Sequence, residues 1–449
     1  MTSPTARLRP PSWFAGLPRE VAVLSSVAFC VALGFGIVAP ALPVFAKSFG
    51  VNATQASSVI SVFALLRLIG AVPAGWLIDR FGERRVLATG LSIVAISSGL
   101  AGLSTTFVQL LVLRGAGGLG SAMFSVSAMA LLLRSVGSEQ RGRAAGAFQG
   151  GFLLGGVAGP AVGGLVTGIS IRAPFFVYAA TLAAAVAVVI VMMSGPRPEP
   201  EPLQEAALDL LLAEPADDSG PFTGPGPTGP VDPPDSSGSA GATGATGASS
   251  LLHALRQRPY LTALTINLGN GFTSFGLRSA IVPLFVVYAL HLSPSWTGYG
   301  LLASALAQAA LLLPAGRMAD TRGRRPALLL GTAATTAGYL VLAVTGSIPV
   351  FLIAMGVLGV GAAFLGSAPA ALVGDISGGR RNGPIVATYQ MTSDLGAITG
   401  PLVAGYIVDS TGSYTIGFIV GAAVVAVGFV LTTVTPETLR RPDPHDDAA

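Results

Sequence analysis

The chain has 449 residues, of which 51% are hydrophobic and only 10% charged, with a formal net charge of +4 and a mean hydropathy of +0.70. Ordinary soluble domains carry roughly a quarter charged residues, so this composition excludes a soluble globular protein. The long apolar runs indicate an integral membrane protein built from helices rather than barrel strands. The positive balance does not point to nucleic acid, because the arginines cluster at the ends of apolar runs, where loop charge sets membrane orientation.

Residues 1–20 form a short tail containing Arg7, Arg9 and Arg19. Apolar spans are expected at 21–46, 54–77, 87–105, 107–133, 145–170 and 174–194. Composition then shifts to Pro, Gly, Ala, Ser and Thr. Residues 195–258 are read as a disordered linker, since such a segment buries too little apolar surface to fold. Six further spans are expected at 259–290, 296–318, 326–346, 348–373, 385–409 and 414–435, followed by a polar tail at 436–449. The fold class is therefore an all-α membrane protein with twelve transmembrane helices in two six-helix bundles.

Twelve spans place both termini on one side. Twenty arginines lie in the tails and loops of that side, against only Lys47 and Arg172 opposite. The positive-inside rule makes the termini and linker cytoplasmic and the chain multi-pass in the cell inner (plasma) membrane. Cys30 is the single cysteine, so no internal disulfide forms. His253, His291 and His445 have no metal-ligand spacing, so no metal and no cofactor are expected. The first apolar run is too long for a cleavable signal. No G-x-x-x-x-G-K-[ST] loop exists for ATP hydrolysis.

Charge appears abruptly after the second span, in a loop containing Gly75, Asp79, Arg80, Gly82, Arg84 and Arg85. A second copy carries Gly316, Asp320, Gly323, Arg324 and Arg325, at an offset of 241 residues (316 − 75). The fourth span holds Arg114 and then Gly115, Gly117, Gly118 and Gly120; Gly356, Gly359 and Gly361 repeat most of that pattern without the arginine. The fifth span holds Gly146, Gly155, Gly159, Pro160, Gly163 and Gly164, echoed by Gly396, Gly400, Pro401 and Gly405, with Gln149 and Gln390 in the same register. Glycines four apart let a neighbouring helix approach closely, and proline can kink the helix that carries it. Repeats at one offset across six spans indicate a parallel duplication of a six-span unit.

Together these motifs resemble the major facilitator superfamily. The loop from Gly75 to Arg85 is similar to its signature between helices 2 and 3, and the loop from Gly316 to Arg325 to the weaker copy between helices 8 and 9. Glu83 departs from the pattern, which has a basic or small residue there. The set Gly146, Gly155, Gly159, Pro160, Gly163 and Gly164 resembles the motif of the drug/proton antiporters, and Gly34, Gly36, Pro40 and Pro43 resemble a region of the twelve-helix drug exporters. The resemblance implies that Asp79, near the start of helix 11, latches the outward-facing state with Arg80 and the arginines that follow. The latch set is Gly75, Asp79, Arg80, Gly82, Arg84 and Arg85, with Asp320 and Arg324 from the second copy. It also implies that helices 2 and 11 meet between the halves and that helices 1, 4, 7 and 10 line a central cavity.

Ionisable side chains at membrane depth are costly and mark function by default. Four are expected there: Arg67, Arg114, Arg278 and Asp394, the last being the only carboxylate well inside a span. At about 1.5 Å per helical residue, Arg67 lies roughly 18 Å from the Asp79 loop and Asp394 roughly 14 Å from the same side, so the two are expected to approach each other. Desolvation favours the neutral form of a carboxylate and a nearby arginine its charged form, and that opposition suits a proton-coupling group. Asp394, Arg67 and Arg114 form the expected coupling set; a static salt bridge is the alternative. Phe35, Phe124, Asn267, Asn270, Phe275 and Arg278 are the expected cavity residues. A mostly apolar cavity with scattered polar groups suits amphipathic compounds, and Arg114 and Arg278 also allow an anionic or neutral one. The expected function is proton-coupled export of small hydrophobic or amphipathic compounds. Proton-coupled uptake of a metabolite is the alternative, and a membrane enzyme or scaffold a third reading. Expected partners are the small-molecule substrate, protons and the lipid bilayer, with no nucleic acid and a monomeric chain.

Overall fold

Residues 17–136, 140–192, 251–377 and 383–438 are described by the computed structural model, and among them every long element is helical. In the first half α1 (Arg19–Val38) turns into the short α2 (Leu42–Lys47), and α3 (Ala53–Phe81), α4 (Glu83–Gly102), α5 (Phe107–Arg134), α6 (Arg141–Ile169) and α7 (Ala173–Met192) follow. In the second half α8 (Arg258–Gly271) runs through a π-helical segment (Phe272–Ile281) into α9 (Val282–Tyr288). It is followed by α10 (Ser295–Thr321), α11 (Arg324–Ala343), α12 (Ile348–Ser377), α13 (Gly383–Thr411) and α14 (Tyr414–Val434). Eleven helices of the described residues are long and apolar enough to cross a membrane, α8 to α9 counting as one. The twelfth crossing element is α13, 29 residues long, whose polar side chains include Asp394 and Asp409.

Local sequence sets the helix ends. The Asn52 side chain accepts from the Gln55 N–H while the Gln55 side chain accepts from the Asn52 N–H, a reciprocal cap that starts α3. Thr106 and Ser413 cap α5 and α14 in the same way with one bond each. The two duplicated loops close on Gly82 (φ 83°) and Gly323 (φ 125°). Each ends one long helix and begins the next within a residue, in a region that side chains with a Cβ rarely enter.

The two halves pack alike. Helix α1 lies along α6, α5 between α3 and α4, and α7 against α4; correspondingly the α8–π segment lies along α13, α12 between α10 and α11, and α14 against α11. The prolines inside α3 and α6, Pro73 and Pro160, recur 241 residues later as Pro314 in α10 and Pro401 in α13. The halves meet along two seams, α3 with α13 and α6 with α10. Large apolar side chains such as Val72 and Ile169, each more than 80% exposed, face outward from the bundle, as they do against lipid tails.

The glycines of α6 explain its contact with α1. A Cβ at Gly159 would stand 2.6 Å from the Leu33 carbonyl oxygen, and one at Gly163 would stand 2.7 Å from that of Ile37. Gly164 instead faces Gly298 of α10 across the second seam, and Gly405, its counterpart, faces Thr54 of α3 across the first. Gly146 differs from the expectation for the motif: a Cβ there would meet nothing within 4 Å, because Gly146 lies on an exposed side of α6 while Ala144, Ala147 and Phe148 around it are buried.

The structure also shortens the linker. Residues 251–255, which composition placed in the segment 195–258, are helical, and Ala254 is packed against the second-half core with Tyr260 and Leu372. Residues 195–250 of that segment and the tail beyond residue 438 lie outside the described residues, as does the start of the loop before α6.

Candidate functional site

Asp394 on α13 and Arg67 on α3 meet across the first seam, with Arg67 Nη2 donating to Asp394 Oδ1 at 3.1 Å. The carboxylate is the more enclosed partner, with a side chain 17% exposed against 38% for the arginine. Both line a water-sized cavity of about 30 Å³ that also touches Arg114, Phe63 and Ser279. Arg114 is 3% exposed. Its guanidinium lies 4.5 Å from the Phe63 ring centroid, and its Nε has no hydrogen-bond partner among the described residues.

The second seam lacks this chemistry. Adding 241 to 67 gives Gln308, and subtracting it from 394 gives Leu153. Where one seam carries an ion pair, the corresponding positions of the other hold an amide and a leucine. Both Gln308 and Leu153 line a larger cavity of about 530 Å³, adjoining the small one.

That larger cavity brings together four of the six residues expected from sequence: Phe35, Phe124, Phe275 and Arg278. Asn267 is not among them; its amide nitrogen donates to the Tyr389 carbonyl at 2.7 Å and ties α8 to α13. Asn270 also lies outside the lining, its side-chain oxygen accepting from the Ser274 hydroxyl at 3.3 Å. The lining helices differ from the expectation as well. Helices α6 and α10 contribute Gln149, Phe152, Ser304 and Gln308, and α12 contributes nothing. The reason lies at Gly164 and Gly298, where α6 and α10 touch; away from that contact they part and present their inner faces to the cavity. Tyr178 of α7 lines it too.

The two halves touch at the end remote from the arginine-rich loops. There Asp409 accepts from the Ala53 N–H at 2.8 Å, the Thr54 N–H at 2.7 Å and the Thr54 hydroxyl at 2.5 Å. A carboxylate of the second half thus caps the N-terminus of α3 in the first, where the helix dipole favours negative charge. Phe35 of α1 and Phe275 of the π-helical segment meet across the halves with ring centroids 6.4 Å apart, in the cavity lining beside Arg67 and Asp394.

At the arginine-rich end the duplicated loops bind within their own halves. Arg134 Nη1 is 2.5 Å from Glu83, and Arg324 bonds Asp320 at 2.6 Å and Asp375 at 3.1 Å. The Arg324 and Arg325 N–H groups donate to Glu437. Asp79 is exposed and makes no ion pair among the described residues. Residues 378–382, where its expected partner at the start of α13 would stand, lie outside them. Arg80 packs over the Trp76 and Phe81 rings, while Gly75 faces open space.

A family model described as Major Facilitator Superfamily matches residues 24–277 and 263–448. Among curated proteins the chain is similar to Multidrug resistance protein 2 of Bacillus subtilis, 31% identical over 165 residues, covering 36% of this chain and 41% of that one. It is also similar to Quinolone resistance protein NorA of Staphylococcus aureus, 27% identical over 162 residues, covering 36% and 42%. The match thus spans about two fifths of the length of these relatives. Among solved structures it resembles a bacterial homologue of the human lysosomal transporter Spinster in an inward-facing, unoccupied conformation (TM-score 0.70, 14% identity, 95% of this chain and 98% of that one). A POT family transporter in complex with 5-aminolevulinic acid is similar over 94% and 96%, at TM-score 0.68 and 13% identity. These likenesses show the fold.

Proposed function

The chain belongs to the Major Facilitator Superfamily, and on that premise we propose that it is a proton-coupled antiporter exporting small hydrophobic or amphipathic compounds across the plasma membrane. The observation that carries this reading is the Arg67–Asp394 ion pair at 3.1 Å, placed where the two halves meet and beside the cavity that would take the substrate. The printed names of the multidrug and quinolone resistance relatives support the substrate class.

With the arginine-rich end cytoplasmic, the cavity opens inward and Asp409 seals the outer end. In this arrangement substrate enters from the cytoplasm while Asp394 is ionised and held by Arg67. Rotation of the halves about the two seams would open the outer end and expose Asp394 to external protons. Protonation removes the ion pair, and the neutral carboxyl carries its proton inward as the bundle returns. Arg67, freed in that step, has Arg114 as a cationic neighbour, and their repulsion favours renewed pairing once the proton leaves. The Asp79 and Arg80 loop acts as the latch of the outward-facing state and is released here.

The test is uptake of fluorescent amphipathic compounds, one each anionic, neutral and cationic, into inverted membrane vesicles energised by respiration. Accumulation that collapses on addition of a protonophore supports proton-coupled export. Accumulation unaffected by the protonophore, or movement only in the opposite direction, contradicts it.

A further inference from the structure

We propose that the cavity selects amphipathic compounds bearing a carboxylate, with Arg278 holding the carboxylate and phenylalanines of both halves holding the apolar body; this rests on the export reading above.

The argument begins with charge. The two adjoining cavities are lined by three arginines, Arg67, Arg114 and Arg278, and by one acid, Asp394. Asp394 is held by Arg67, and Arg114 lies over the Phe63 ring. Arg278, on the π-helical segment, lines the larger cavity and makes no ion pair among the described residues. Among the described residues the lining of the larger cavity contains no carboxylate; its polar groups are arginines, serines, glutamines and Tyr178. An unpaired guanidinium at membrane depth is expensive, and an anionic ligand removes that cost. A cationic ligand meets two arginines there and no acid free to receive it.

Geometry points the same way. Phe275, Arg278 and Ser279 all face the larger cavity, at i, i+3 and i+4, so a fork of N–H donors sits beside an aromatic ring. A planar guanidinium matches a carboxylate with two parallel hydrogen bonds, which neither an amide nor an amine can reproduce. These residues lie on a run of π-helix, a rare conformation that concentrates at functional sites. Phe124, Phe152 and Phe35, the last in ring contact with Phe275, supply further aromatic lining, and a volume of about 530 Å³ admits one drug-sized molecule.

The experiment uses the full chain in lipid nanodiscs and three probes that share one aromatic body: 2-naphthoate, neutral 2-naphthamide and 2-naphthylmethylammonium. Wild-type protein is expected to bind the acid about tenfold or more tighter than the amide, the scale of one charge-assisted hydrogen bond, and the ammonium most weakly. Arg278→Gln is expected to bring the acid to within about twofold of the amide and leave the amide unchanged, while Arg278→Lys keeps the acid ahead. Wild-type binding of the amide or the ammonium as tight as the acid overturns the inference, as does an acid preference that survives in Arg278→Gln. If Arg278→Gln fails to fold, the wild-type order decides alone. Proton-driven transport of the ammonium without the acid sinks this inference and leaves the export reading standing; no binding of any probe sinks this inference, and the vesicle experiment still decides the export reading.

Discussion

Arg134 Nη1 lies 2.5 Å from Glu83 Oε1, and 241 residues later the same two positions hold Arg324 and Asp375, 3.1 Å apart with the signs exchanged. Each pair joins the start of the helix after the duplicated loop to the far end of the next helix. The two halves conserve the attraction while reversing the residues. Glu83, which departs from the signature loop it otherwise resembles, is explained by this partner. The Arg134 side chain is 75% exposed, so the pair is worth about 1 kcal/mol or less. Glu83→Arg should lower the melting temperature measured by fluorescence-detected size exclusion, and Glu83→Arg with Arg134→Glu should restore most of the loss. A double variant no better than the single one would deny the pairing.

Gly159 and Gly146 belong to one motif in sequence but differ in space. A Cβ at Gly159 meets the α1 backbone at 2.6 Å, and one at Gly146 meets nothing within 4 Å. Gly159→Ala should therefore cost about 1–3 kcal/mol through overpacking and reduce both folded yield and transport. Gly146→Ala should be tolerated. Comparing the two by yield and vesicle transport checks the assignment; equal losses would show that α1 and α6 pack differently.

Gly82 closes the first duplicated loop at φ 83°. Gly82→Ala forces a Cβ into that region at a cost of about 1–3 kcal/mol. Gly75→Ala, in open space, should cost little despite belonging to the same loop. Thermal unfolding of the two variants gives the comparison, and a stable Gly82→Ala protein would contradict the turn.

Asp409 caps the first turn of α3 from the opposite half, through the Ala53 and Thr54 N–H groups. Its replacement by alanine removes a cap of about 1–2 kcal/mol from the sealed end and should shift the population toward the outward-open state. In a Cys30→Ser background, Ile60→Cys should label faster with a membrane-impermeant thiol reagent added from that side when Asp409→Ala is also present. Unchanged labelling would show that the seal rests on other contacts.

Much of the fold was readable because the signal is periodic. The spans follow from apolar run length, and the duplication from an offset that glycines, prolines and charges all share. Depth along a helix is a matter of counting, so Arg67 and Asp394 were expected at one level, and the structure places them in contact. Direction around a helix is not a matter of counting. Asn267 reads as a cavity residue by its span, yet it faces α13 and donates to Tyr389. Gln308 carries no motif and becomes visible only as the counterpart of Arg67. Asp409 looks interfacial because it ends a span, and nothing local reveals that the start of α3 stands opposite. The contribution of α6 and α10 to the cavity depends on how the halves are tilted, which no spacing within one half contains.

The central claim is that Asp394 carries the proton that drives export. The most direct measurement compares wild type and Asp394→Asn in proteoliposomes, scoring substrate accumulation under an imposed pH gradient and substrate exchange without one. The account predicts that the variant loses accumulation while exchange persists, because an amide fills the site but cannot ionise. Accumulation by Asp394→Asn equal to that of the wild type would contradict it.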